Sequence, residues 1–296
     1  MELEWIYQAD QPQLVRNFLQ EQGIPRKFLS AVKYRGGSIL LNGQAVTVRA
    51  SLRPGDRLKV QAAPELGHET VPASQLPIEI VYEDPDCLVV NKPINTVSIP
   101  SQKHPDSSMA NRIKGYYQQQ GYSDQVIHIV TRLDRDTSGL MLIAKHRLAH
   151  AYFDQQIRNK TIKKYYYAIS EGIDWPREGL IDAPIGRHPD SIIQRRVDVS
   201  GRPALTRFWV QDKYPEATLL KLQLLTGRTH QIRVHLAHLG GPLVGDTLYG
   251  GSYQDQIQRQ ALHCGQLEFK QPFSHEQIIL KQALPADMQA WLEAQA

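Results

Sequence analysis

An α+β fold in two unequal domains is what the sequence predicts, and three observations carry that prediction. The chain has 296 residues, about twice the ~150 of a typical domain. Its first sixty residues combine two short helical periodicities with an Asn-Gly hairpin signal. From Ile78 onward, alternating and continuous apolar runs of strand length recur between turn residues. With 41% hydrophobic and 22% charged residues the composition is that of an ordinary globular protein, which excludes disorder and coiled coil. No apolar run approaches the ~18 residues of a membrane helix. The opening MELEWIYQAD has acids where a signal peptide carries basic residues, so no membrane association and a cytoplasmic location are expected. Cys87 and Cys264 lack metal-site spacing and read as small core residues.

The formal net charge of +4 is unevenly placed: residues 1–62 hold nine Lys/Arg against five Asp/Glu, and the remainder holds 25 of each. Such asymmetry points to a polyanion partner. Leu14, Val15, Phe18 and Leu19 recur at helical spacing, and a second helix is expected from Pro25 through Phe28, Leu29 and Val32 to the stop at Gly36-Gly37. Ser38–Leu41 and Ala45–Val48 flank Asn42-Gly43 as a hairpin, and Pro54-Gly55-Asp56 turns into Arg57–Val60. This helix-helix-hairpin-strand order, with LNG and PGD turns and the basic residues Arg16, Arg26, Lys27, Lys33 and Arg35, resembles the S4-like RNA-binding module. The bland alternative is that scattered bases only solvate a surface.

Residues 63–77, with Pro64, Gly67, Pro72 and Pro77, have linker composition, and a second domain is expected over 78–296. There Ile78–Tyr82 and Cys87–Val90 form a hairpin around Glu83-Asp84-Pro85-Asp86, and His128–Val130 and Leu140–Ala144 bracket the polar stretch 131–139. Dense charge between two buried strands marks a site loop. It holds Asp134 and Asp136, flanked by Arg132 and Arg135. Taken alone, these residues describe first an Asx-turn with surface ion pairs, and only second a glycosidase carboxylate pair. Against the latter, flanking arginines hold carboxylates ionised, whereas a general acid needs a raised pKa. Tyr165, Tyr166 and Tyr167 alternate across a strand, and spacing alone does not choose among them. His235 and His238 stand three apart without the HExxH pattern, so metal ligation is not expected.

The string TRLDRDTSGLML closely resembles the HRLDRDTSGLML motif of the RluA-type pseudouridine synthases, which isomerise uridine to pseudouridine in RNA. VYEDPDCLVVNKP, IKKYYYAISEG, GRPALTRF, LLTGRTHQIRVHLAHLGGPLVGDTLYG and ALHCGQLEF are similar, in order, to further family segments along nearly the whole second domain. The resemblance implies a mixed, largely antiparallel catalytic sheet and a reaction without cofactor or metal. It implies that Asp134 is the catalytic aspartate, that Arg132 displaces the target base from its stack, and that Tyr166 is the family tyrosine, in Lys164-x-Tyr166-x-Ala168. It further implies that Arg228 is the basic residue paired with the aspartate. The chain departs from the pattern at Thr131 (histidine in the family), at Ile94-Asn95-Thr96 (a Gly-containing turn) and at Cys264 (alanine). The expected activity is isomerisation of uridines in structured RNA, ribosomal RNA before transfer RNA, by a monomer. The rival from another class is a non-catalytic RNA-binding or ribosome-assembly factor that keeps the fold.

Overall fold

A computed structural model describes residues 1–66, 71–253 and 255–295; Gly67 of the expected linker lies outside them. At the N-terminus the helices Val15–Glu21 and Arg26–Tyr34 pack Val15, Leu19, Phe28 and Val32 against Ile39, Leu58 and Val60 of a four-stranded antiparallel sheet. Asn42 and Gly43 both have positive φ, +52° and +83°, the backbone a two-residue primed hairpin turn requires. Two details differ from the expectation. Glu2–Ile6 is a strand, because pairing beside Arg57–Gln61 lets Glu2 and Glu4 reach Lys59 and Arg57. The hairpin's return strand is only Gln44–Ala45, since the chain turns again where the Ala50 amide bonds Thr47.

Glu65 and Ser74, within the expected linker, are docked rather than free. Glu65 accepts hydrogen bonds from the Arg147 amide at 2.7 Å and guanidinium at 2.8 Å, and lies 3.2 Å from His128 Nε2. Ser74 runs against the helix Met109–Gln119, where a Cβ at Gly115 would stand 1.9 Å from the Ser74 carbonyl oxygen. Only glycine admits that approach. Leu148 and Tyr152, on the helix Arg147–Arg158, and Phe273 join the apolar cluster of the N-terminal residues.

Among the described residues the large sheet has ten strands, eight of them in the path Glu178–Asp182, Leu205–Lys213, Ala217–Leu224, Lys163–Glu171, Leu262–Lys270, Ser138–Ala144, Cys87–Lys92 and Glu79–Glu83. Every pairing is antiparallel except that of Ser138–Gly139 with His263–Cys264. This is the mixed, largely antiparallel α+β architecture expected. The parallel contact is the seam between the sheet's two halves. Gly139 crosses it at φ +114°, and a Cβ there would lie 2.3 Å from the Cys264 carbonyl oxygen. Apolar residues from both halves, including Leu140, Leu142, Ala168, Leu220 and Leu267, form one buried cluster beneath the seam.

Candidate active site

The loop that carries Asp134 enters the seam directly before Ser138, and buried polar groups fix its backbone. Ser98 Oγ donates to the Leu133 carbonyl at 2.8 Å and accepts the Leu133 amide at 3.1 Å. Lys92 Nζ, fully buried, donates to the carbonyls of Pro93, Thr96 and Arg135 at 2.7–2.9 Å. Burial draws the Lys92 amine down to about 7, while Asp136 and Asp134 oppose the shift. Three carbonyl acceptors nonetheless match the three N–H donors of the ammonium form. Arg259 Nη1 donates to the Asp136 carbonyl at 3.1 Å, its Nε and Nη2 being held by Asp287. The departures from the family pattern fall into this framework. Thr131 Oγ1 accepts the Leu142 amide at 2.9 Å, and Asn95 supplies the left-handed turn at φ +54° that places the Thr96 carbonyl on Lys92.

Asp134 is about one-third exposed at the floor of a cleft of about 940 Å³, toward the upper end of ligand-pocket sizes. Its Oδ2 lies 3.7 Å from Arg233 Nη1 and 4.0 Å from His230 Nε2. Among the described residues no donor reaches Oδ1. Arg233 is 7% exposed and forked onto Asp246 by two hydrogen bonds of 2.7 Å, with Tyr249 beneath its guanidinium at 4.9 Å. Burial lowers the Arg233 pKa, but Asp246 and then Asp134 outweigh it, so the guanidinium stays charged. Tyr166 stands on Lys163–Glu171, the strand beyond Leu262–Lys270, opposite Cys264 and one residue past a register shift, with its ring in the core. Burial, with the Cys264 thiol and Asp134 beside it, pushes its phenol well above the usual tyrosine range. The tyrosine is neutral at any physiological pH.

Arg132, Asp134, Tyr166 and Arg228 thus line one cleft. Arg132 is exposed there with no ion pair or hydrogen bond of its side chain among the described residues. The expected pairing of Arg228 with Asp134 is corrected: Arg228 Nε donates to the Pro203 carbonyl at 3.0 Å, and the guanidinium that meets Asp134 is Arg233. The reason is the turn between them. His230 adopts φ +57° at the head of the helix Gln231–His238, which redirects the chain so that the helix's first turn faces the aspartate. A left-handed residue with a side chain costs about 1–2 kcal/mol. Arg16, Arg26, Lys27, Lys33 and Arg35 lie outside the cleft, exposed on the N-terminal helices and the residues around them. None makes an ion pair among the described residues, whereas Arg57 and Lys59 on the adjoining sheet are neutralised by Glu2 and Glu4. Asp136 is engaged by Arg135, and His235 is buried between Thr206 and the Ala183 carbonyl, so neither faces substrate as a second acid or a metal ligand. Sequence reasoning missed Arg233, Asp246, Tyr249 and Arg259. The one signal for Arg233 was its i,i+3 spacing from His230, which puts both on one side of a helical turn.

The family model described as RNA pseudouridylate synthase matches residues 86–238, which include the Asp134 loop, Tyr166 and Arg233. The chain belongs to this family. It is 47% identical over 274 residues to the uncharacterized RNA pseudouridine synthase YjbO of Bacillus subtilis, covering 93% of this chain and 96% of that one. It is 35% identical to the ribosomal large subunit pseudouridine synthase D of Haemophilus ducreyi, over 86% and 82% of the two chains. The solved structure of human RNA pseudouridylate synthase domain containing 1 has the same fold, with a TM-score of 0.60 at 24% identity over 75% of this chain and 96% of that one. The protein is therefore an RluA-type RNA pseudouridine synthase, an isomerase. Among the described residues no helix is long and apolar enough to cross a membrane.

Proposed function

We propose that the synthase acts on uridines in ribosomal RNA, with Asp134 as the reacting carboxylate and with no cofactor. The RNA class is supported by relatives named for the large ribosomal subunit. The role of Asp134 is supported by one observation above all: its Oδ2 faces Arg233 and His230 while Oδ1 has no donor among the described residues, inside a cleft large enough to admit a nucleotide. The isomerisation breaks the N1–C1′ bond, joins C5 to C1′, removes a proton from C5 and returns one to N1. It needs no net oxidant and no transferred group. Attack at C1′, attack at C6 and the glycal route all begin at this carboxylate. The neutral Tyr166 packs against the base and can donate through its phenol, while in the glycal route the sugar proton goes to the Asp134 carboxylate.

Arg132, unpaired at the mouth, fills the space a flipped uridine leaves; extrusion costs a few kcal/mol of unstacking. Arg228, turned from the aspartate, contacts the RNA backbone. Residues 1–62 form an S4-like module whose Arg16, Arg26, Lys27, Lys33 and Arg35 bind RNA phosphates, and residues 63–77 join it to the catalytic domain at 78–296. Tritium release from RNA carrying 5-tritiated uridine tests the catalytic reading. Asp134→Asn and Asp134→Ala are expected to release none while binding RNA as the wild type does. Normal turnover by either variant would exclude Asp134 as the reacting group.

A further inference from the structure

The proton on His230 can be located by counting donors. Tyr249 Oη accepts the Arg195 backbone N–H at 2.9 Å and lies 2.8 Å from His230 Nδ1. The phenol's own O–H also needs an acceptor, and among the described residues Nδ1 is the one within its reach. This favours an Nδ1 that accepts and carries no proton. The neutral ring keeps its proton on Nε2, the nitrogen 4.0 Å from Asp134 Oδ2.

We propose that His230 is a positioning residue for the isomerisation: Tyr249 and the Arg195 amide fix it as the Nε2–H tautomer, and this uncharged donor, aimed at Asp134 Oδ2 from 4.0 Å beside charged Arg233, closes onto it with RNA bound so that Oδ1 faces the nucleotide. The inference rests on Asp134 being the reacting carboxylate. Three observations carry it. His230 is kept at φ +57°, a conformation few side-chain-bearing residues adopt, yet its side chain makes no capping bond to its own helix. Its ring stands edge-on to Tyr249, and Tyr249 also lies under Arg233, so one aromatic sets both groups that approach Oδ2. The two donors differ in charge: Arg233 brings the cation, and a neutral imidazole adds direction without a second positive charge to weaken the nucleophile.

The surroundings favour that neutral state. Burial pushes the His230 imidazole below the usual histidine range, Arg233 and Arg195 act in the same direction, and Asp134 and Asp246 oppose them. Tyr249, the remaining titratable contact, is itself raised by burial and stays a phenol. Protonation would put a hydrogen on Nδ1 against the Tyr249 hydroxyl and a second cation on Oδ2. Turnover should therefore fall on the acid side as His230 charges, and the decline should depend on this residue.

The test compares single-turnover tritium release across pH for wild type, His230→Ala, His230→Gln and Tyr249→Phe, with RNA affinity measured in parallel. His230→Ala is expected to lose about 10- to 100-fold in rate, the usual cost of removing an orienting partner, with RNA affinity within about twofold of wild type. His230→Gln restores an N–H donor without a titrating group, so it should recover rate and lack the acid-side decline. Tyr249→Phe removes the O–H that occupies Nδ1, so the decline should move to higher pH. Nitrogen NMR of histidine-labelled wild type, assigned with His230→Gln, should show a protonated Nε2 and an unprotonated Nδ1, independently of activity. A proton on Nδ1, or wild-type rate and pH profile in His230→Ala, overturns the proposal. An active Asp134→Asn would instead refute the reading on which it rests, so the two failures are distinguishable.

Discussion

Arg233 is gripped by Asp246 through Nε and Nη2, each at 2.7 Å, while its remaining nitrogen, Nη1, is turned to Asp134 at 3.7 Å. The buried carboxylate thus aims the guanidinium as well as neutralising it. Arg233→Lys keeps the charge but cannot be held by two parallel bonds. It should lower single-turnover tritium release by about 10²-fold, the scale of losing one preorganised donor. Asp246→Asn should act in the same direction, because it frees the fork.

Arg228 and Arg233 should behave differently although five residues separate them. Arg228, bound to the Pro203 carbonyl, faces the cleft and not the aspartate. Arg228→Met should weaken RNA binding and leave the rate at saturating RNA near wild type, whereas Arg233→Met should lose rate. Filter binding and single-turnover kinetics separate the two effects.

Tyr166→Phe keeps the ring and removes a hydroxyl that burial holds protonated. The rate is expected to fall by about 10²-fold if the phenol takes part in proton transfer. Ionisation of Tyr166 should add no loss up to about pH 10, where an ordinary tyrosine ionises, so wild type and variant should share one alkaline profile. A pH–rate profile of both proteins checks this.

Each exposed base of the N-terminal helices that meets a phosphate should contribute to the salt dependence of RNA binding. Removing Arg26 or Lys27 should flatten the slope of log affinity against log salt by about 0.7–0.9. Arg57, already paired with Glu4, should change it less.

Glu65 ties the connecting segment to the large domain and should make that docking acid-sensitive. Burial alone would raise its carboxyl, but His128 and Arg147 overcome this and hold it at about 2 against an ordinary 4.5. A depressed carboxyl stabilises the folded state fully above pH 4.5 and loses that contribution as pH falls toward 2. The whole shift corresponds to about 3 kcal/mol at most. Glu65→Gln should lower stability at neutral pH and flatten the acid side of the curve, as read by denaturant unfolding.

How much of this protein is legible in its sequence depends on how far apart the interacting residues lie. The Asn42-Gly43 turn, the paired short helices, the strand alternation around Tyr166 and the charged loop holding Asp134 are all local, set by backbone preferences and side-chain periodicity over a few residues, and the motifs sufficed to place the family. The strand Glu2–Ile6 was not legible, because its partners stand more than fifty residues away. Neither was the choice of Arg233 over Arg228, since both lie in one short motif and only the left-handed turn at His230, together with Asp246 behind it, decides which guanidinium meets Asp134. The sequence by itself determined which chemical groups are present and the local structures that carry them. Tertiary structure alone decided their directions, because a side chain's aim is set by what packs behind it, and those supports, Asp246 for Arg233, Tyr249 for His230, and Lys92 and Arg259 for the Asp134 loop, come from distant parts of the chain.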